Sequence, residues 1–245
     1  MRAMLEMQSY QVRTHNPSSE SENRMHSDAV ARRYGFRGAL VPGVTVFGHM
    51  TRPVMAHWGE AWLAGGRAEV SFARPAYEGD LLTVAAVSSG DGAPLDLTCA
   101  NEAGEELAKL RAGTAEGSAE PDLRAWNPPA PPLTERPEAS WELMRVGEPF
   151  PALAWQPTVE ENATWCEDLR DDVPLYRNGP EPCVHPGLVL RQANYVLKNR
   201  FVLPAWIHTG RKFTCTRRMP TERSPGIATD SLLARRKMVS LLGGM

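Results

Sequence analysis

The chain has 245 residues, 42% hydrophobic and 23% charged, a length for one large or two modest globular units and a composition that excludes wholesale disorder. Twenty-seven basic residues against 29 acidic ones leave a formal charge of −2, so there is no broad positive field to attract nucleic acid. No apolar run reaches the roughly 18 residues of a membrane span, and the N-terminal stretch lacks the continuous apolar core of a secretory signal. The expectation is a cytoplasmic protein with no nucleic-acid and no membrane partner.

In chain order, residues 7–13 read as a short strand with Tyr10 and Val12 on one face, and His15–Ser27 as a polar loop. Asp28 is placed as the N-cap of a short helix, Ala29–Tyr34, that Gly35 ends. After Val41-Pro42-Gly43, apolar residues at Val44, Phe47, Met50, Val54, Met55 and Trp58 fall near one helical stripe, which predicts a buried helix over about 44–58. His49 and His57 lie on that helix and read as polar-face residues. Alternation follows at Ala68, Val70 and Phe72, at Leu82–Val87, at Leu95, Leu97 and Cys99, and near Leu107–Ala112, with turns between. One apolar helix followed by an antiparallel meander is an α+β pattern in which the sheet covers the helix.

The stretch 115–140 carries Pro121, Pro128, Pro129, Pro131, Pro132 and Pro137 with no helical or alternating period, and reads as an extended linker. It divides the chain into an N-terminal unit, 1–114, and a C-terminal unit, 141–245. A slide of 144 positions superimposes Pro42-Gly43 on Pro186-Gly187, Ala61-Trp62 on Ala205-Trp206, and Gly66-Arg67 on Gly210-Arg211, without a gap. This is an internal duplication. From about residue 217 the second copy departs from the first and shows no period-two alternation, so its sheet is expected to be incomplete or divergent; residues 229–242 read as a basic amphipathic helix. An open strand edge in that unit would invite a second copy of the chain, a homodimer.

Chemistry is constrained chiefly by what is missing. Cys99, Cys166, Cys183 and Cys215 have no Cys-x-x-Cys spacing, and the six histidines show no His-Glu-x-x-His pattern. There is no Gly-x-Ser-x-Gly elbow, phosphate-cradling loop or dinucleotide fingerprint. Neither a metal nor a redox cofactor is expected. Cys183 and His185 are close in sequence, but separation by two residues does not set up a nucleophilic pair.

Asn23-Arg24-Met25-His26-Ser27-Asp28, with Tyr34-Gly35-Phe36-Arg37-Gly38, Val41-Pro42-Gly43-Val44 and the later Arg74-Pro75-x-x-x-Gly79-Asp80, resembles the MaoC-like acyl dehydratases. That family includes the (R)-specific enoyl-CoA hydratases. The resemblance covers about residues 20–90 and recurs in part over 186–211. It implies a double hotdog, each unit a curled antiparallel sheet around a long central helix, with acyl-thioester sites where units pair. It also implies coenzyme A or acyl-carrier phosphopantetheine as the handle on the substrate, and an acyl carrier protein as a partner.

The family motif reads Gly-Asp-x-Asn-Pro-x-His, its aspartate and histidine forming the acid/base pair. Here His26 and Asn23 match, Arg24 replaces proline, Ser21 stands at the aspartate position and Glu20 at the preceding glycine. Hydrating a conjugated thioester needs one group to activate water and another to deliver a proton to the α-carbon, and a serine hydroxyl is too weak an acid to replace a carboxylate unaided. Glu20 and Glu22 flank the site and either is a candidate substitute. The resemblance assigns His26 as base, Asn23 as orienting group, Ser21 as polar partner, and the Gly43 amide, at a helix start, as donor to the thioester carbonyl. Val44 and Phe47 are the expected substrate contacts. In the second unit the slide sets Arg170 opposite His26 and Glu167 opposite Asn23, so that unit is read as non-catalytic, a structural partner that supplies one side of an acyl tunnel. Three functions stay open: an acyl-thioester hydratase/dehydratase, a non-catalytic acyl-thioester-binding or dimerisation module, and a hotdog thioesterase.

Overall fold

A computed structural model describes residues 5–90, 92–114, 134–144, 153, 155–178, 182–214, 219 and 221. The first half contributes strands β1 (Leu5–Glu6) and β2 (Tyr10–Arg13), a 3₁₀ turn (Arg24–His26), and helices α1 (Asp28–Arg33), α2 (Gly43–Trp58) and α3 (Glu60–Gly65). Strands β3 (Gly66–Phe72), β4 (Leu81–Ser88), β5 (Leu95–Ala100) and β6 (Glu106–Thr114) complete it. The second half contributes helices α4 (Val159–Asp168), α5 (Pro174–Arg177) and α6 (Pro186–Arg200) and one described strand, β7 (Gly210–Thr214).

All strands pair antiparallel in one sheet of order β1-β4-β5-β6-β3-β7, with β2 also on β4. Alternation does what period two dictates: Ala68 and Val70, Leu82, Val84 and Ala86, Leu95, Leu97 and Cys99, and Leu110 and Ala112 turn to one face and are buried. α2 lies against that face with Phe47, Met50 and Val54 fully enclosed, and α6 packs beside α2. The helices approach closely because both carry glycine at the contact: a Cβ on Gly187 would stand 3.2 Å from the Cα of Gly48.

The duplication is built into the sheet. Gly66 and Gly210, matched by the slide, open β3 and β7, and these two strands pair with each other. Ala68 faces Phe213 and Glu69 faces Lys212, a register with the repeat's own local two-fold symmetry. The copies part company just before those strands. In the first half Gly59, with φ of 55°, turns the chain from α2 straight into α3. The matching position is Leu203, for which a left-handed backbone is strained. There the chain runs instead as an extended strap, 201–209, ahead of β7.

Several expectations need correction. Ser27, not Asp28, is the N-cap of α1; Asp28 is the first helical residue, and its carboxylate accepts the Ala39 N–H at 2.7 Å. His49 is not on a polar face: it is a buried residue of α2, its Nε2 3.1 Å from Thr14 Oγ1 just past β2. Periodicity missed α3 and α4. The expected linker lies mostly outside the described residues; its described end is held by Arg136, which bonds Glu22 and the Lys198 carbonyl. The expected helix over 229–242 lies outside them entirely.

Candidate active site

The turn that carries Asn23 and His26 is fixed by its own side chains. Asn23 Oδ1 accepts the N–H groups of Met25 (3.3 Å) and Trp206 (3.2 Å), so its amide nitrogen is the donor, to the Trp206 carbonyl at 2.9 Å and to His26 Nε2 at 3.1 Å. All four hydrogen-bonding positions of the amide are used. His26 Nδ1 lies 2.6 Å from the Leu40 carbonyl, which accepts only, so the proton sits on Nδ1 and Nε2 carries the lone pair. Burial lowers the pKa of this imidazole below its ordinary value, partly offset by the Leu40 carbonyl. His26 is therefore neutral at pH 7, with Nε2 as a base.

A cavity of about 210 Å³ opens beside this ring. Its walls come from both halves: His26, Leu40 and Gly43 from the first, Asn194, Trp206 and His208 from the second, with Val46 and Phe72 as apolar lining. Gly43 begins α2, where the first N–H groups have no intrahelical acceptor, and its N-cap, Pro42, supplies no side-chain bond. A Cβ at Gly43 would come within 3.1 Å of His208 and 3.3 Å of the Phe72 ring, so glycine keeps this end of the helix accessible. Arg74 lines the cavity with its Nη1 on the Glu106 carbonyl at 2.9 Å.

The sequence-derived assignments separate here. His26, Asn23 and Gly43 meet at the cavity. Ser21 does not line it; its hydroxyl donates to the Asn23 carbonyl at 3.2 Å. Glu22 is engaged by Arg136 and Lys198, and Glu20 is exposed on the loop, so neither glutamate reaches the cavity. Val44 and Phe47 point into the core, Phe47 against Phe213, because they lie on the sheet-facing stripe of α2; Val46 takes the cavity position. Among the described residues no carboxylate lines the cavity. Among the described residues no cluster of three metal-ligating side chains exists, and no helix is long and apolar enough to cross a membrane.

The second half lines one side of the cavity, as the sequence reading expected, but that reading named none of the residues that do so. Trp206 and Arg211 were visible as repeated residues, but His208 occupies the slot of Ala64 and carries no repeat signal. Also missed was a closed cluster at the other helix start. His185 Nδ1 accepts the Gly187 N–H (2.9 Å) and the Trp165 indole N–H (3.1 Å), while Nε2 lies 3.2 Å from Asp171 Oδ2. Asp171 also takes Arg52 Nη1 at 2.6 Å; His185, Trp165 and Asp171 are buried and Arg52 is partly exposed.

Among solved structures the chain superimposes on a MaoC-like dehydratase with a TM-score of 0.51, at 14% identity, covering 83% of this chain and 80% of that one. The fold is that of the MaoC-like dehydratases. Lesser likenesses include a putative MaoC domain dehydratase from Chloroflexus aurantiacus J-10-fl (11% identity, 86% and 74% covered, TM-score 0.48). Another is a conserved hypothetical protein of Mycobacterium tuberculosis described as having a double hotdog fold (15% identity, 84% and 81% covered, TM-score 0.47). No protein-family profile and no curated protein sequence matches the chain. The architecture is a double hotdog of the MaoC-like kind: one helix and its meander complete, the second helix joined among the described residues by a single strand, β7.

Proposed function

We propose that this protein belongs with the MaoC-like acyl dehydratases in function as well as in fold, and adds water to, or removes it from, an acyl thioester held by coenzyme A or a carrier phosphopantetheine. The observation that carries this reading is the His26 Nε2 lone pair at the wall of a cavity that also receives the uncapped start of α2. In the hydration direction, water displaces Asn23 from Nε2 and loses a proton to it as its oxygen bonds to the β-carbon. The electron pair moves to the thioester oxygen, where the Gly43 N–H and the positive end of α2 stabilise it. The imidazolium returns the proton to the α-carbon, so one water is added and nothing else is consumed. One imidazole thus serves in turn as base and acid, the work that an aspartate would share.

The assay is loss of the enoyl absorbance of trans-2-enoyl-CoA substrates of several chain lengths with purified protein and with His26→Ala. The expected loss in the variant is about 10²–10⁴-fold. Because the base must be unprotonated, kcat/KM falls as pH drops through the lowered His26 pKa, below 6.5, and is level above it on that side. Equal rates for both proteins, at background, overturn the catalytic reading.

A second reading, a binding module without turnover, is favoured by one observation: among the described residues the cavity has no carboxylate, and Asn23 already occupies Nε2. Acyl-CoA binding without hydration by the wild-type protein selects it. The thioesterase alternative lacks, among the described residues, a carboxylate in the cavity to activate water. β7, paired among the described residues on its β3 side alone, is the edge we propose for a second copy of the chain.

A further inference from the structure

We infer that His208, contributed by the second half, is a catalytic residue of the same site, whose Nδ1–H joins the Gly43 N–H in holding the thioester carbonyl, and that Arg211 sets it for that task. The inference rests on the thioester reading above and names the second donor that reading leaves open. Its ground is a chain of contacts. Asn23 clamps the strap through both backbone groups of Trp206, and Phe72 N–H donates to the Thr209 carbonyl at 2.9 Å, so the chain between them is tied to both walls of the cavity. The His208 ring stands edge-on to the Trp206 indole, centroids 4.5 Å apart, with its Cβ beside Gly43. Among the described residues the only hydrogen bond of His208 is to Arg211, whose Nη2 lies 3.2 Å from Nε2. A guanidinium can only donate, so Nε2 is the acceptor and the ring proton is on Nδ1. That N–H has no partner among the described residues, in a ring that lines the cavity.

The electrostatics agree. Arg211 has no acidic partner among the described residues and sits half-buried beside the ring. Burial first, then Arg211 and then His26, push the His208 pKa well below its ordinary value. A neutral imidazole fixed in this way donates a hydrogen bond to a developing oxyanion without giving up its proton. His26 on one side and Gly43 with His208 on the other would then divide the work: proton transfer by the first half alone, carbonyl polarisation by both.

The test compares two ligands by titration calorimetry on the full chain: butanoyl-CoA, and S-butyl-CoA, a thioether identical except for the missing carbonyl oxygen. One carbonyl hydrogen bond predicts about tenfold tighter binding of the thioester by the wild-type protein. In His208→Phe, which keeps the bulk against Trp206, the preference is expected to fall within about twofold. His208→Asn, with an amide N–H in the same region, keeps part of it, and Arg211→Leu loses part of it because the tautomer is no longer fixed. If His208→Phe fails to fold, Arg211→Leu and His208→Asn carry the comparison. Equal binding of both ligands by the wild-type protein, or an undiminished preference in His208→Phe and Arg211→Leu, overturns the inference while leaving any measured hydration intact. If the wild-type protein binds neither ligand and hydrates no enoyl-CoA, the thioester reading falls and takes the inference with it.

Discussion

The two hotdog helices begin with the same Pro-Gly pair and end up with opposite chemistry. At α2, Pro42 caps nothing, Gly43 keeps its N–H free, and the nearby imidazole, His26, lines the same cavity with its Nε2 lone pair held only by the Asn23 amide. At α6, His185 is itself the N-cap: its Nδ1 takes the Gly187 N–H, its Nε2 meets Asp171, and no space is left. The carboxylate–imidazole pair missing from the open site is thus present in the closed one, where nothing can reach it. On the proposed reading the two helix starts divide the labour, that of α2 keeping donors open for a ligand and that of α6 closing its own.

If that division is right, the closed start should matter most for stability. Burial alone would raise the Asp171 pKa, but the His185 ring, the Val173 N–H and Arg52 hold it down to about 2. Removing the carboxylate strands a buried imidazole and takes from Arg52 its enclosed partner. Asp171→Ala is expected to cost about 3–5 kcal/mol in urea unfolding. His26→Ala, at the open start, gives up hydrogen bonds of ordinary strength and should cost about 1 kcal/mol. A cost for Asp171→Ala no larger than that for His26→Ala would break the comparison.

How much of this was legible follows the same line. Alternation at Leu82–Val87 and Leu95–Cys99 and the stripe on 44–58 placed the sheet and α2 because one-sided burial imposes a period. The motif residues His26, Asn23 and Gly43 were found because they lie within about 20 positions in one half. His208 was not, since pairing of β3 with β7 brings it to Gly43 across more than 160 positions and leaves no local pattern. Asp28 was misplaced by one residue because its carboxylate serves Ala39 rather than the helix it begins. Val44 and Phe47 were assigned to substrate because helical spacing names a face without saying whether core or cavity lies against it.

A smaller effect comes from His49, buried on α2 beyond its open start. Burial lowers its pKa to about 3, and its Nδ1 is enclosed without a partner among the described residues. The folded value lies below the unfolded 6.5, so between these the unfolded chain binds the proton and the folded one does not. Stability is therefore full above about pH 6.5 and declines as pH falls, by up to about 1.4 kcal/mol per unit, or about 2 kcal/mol by pH 5. Asp171 adds its own loss only lower, between its ordinary 3.8 and about 2. Urea midpoints at pH 7, 6 and 5 should fall less steeply in His49→Gln, which keeps an acceptor for Thr14. Parallel slopes would mean the proton is taken up elsewhere.

The smallest test compares the short helices that precede each start. Thr158 caps α4 by accepting the Glu161 N–H at 3.0 Å. Ser27, at the matching place before α1, makes no cap bond, and its hydroxyl donates backward to the Arg24 carbonyl at 2.9 Å. Thr158→Ala should cost about 1 kcal/mol and Ser27→Ala only a few tenths by urea unfolding. The difference matters beyond its size. The loop before α1 must let His26 face a cavity, and it is held by Asn23 and by Asp28 reaching to Ala39 instead of by a helix cap. A Ser27→Ala cost equal to that of Thr158→Ala would mean the open half is secured by the same local devices as the closed one, and that its free groups have another cause.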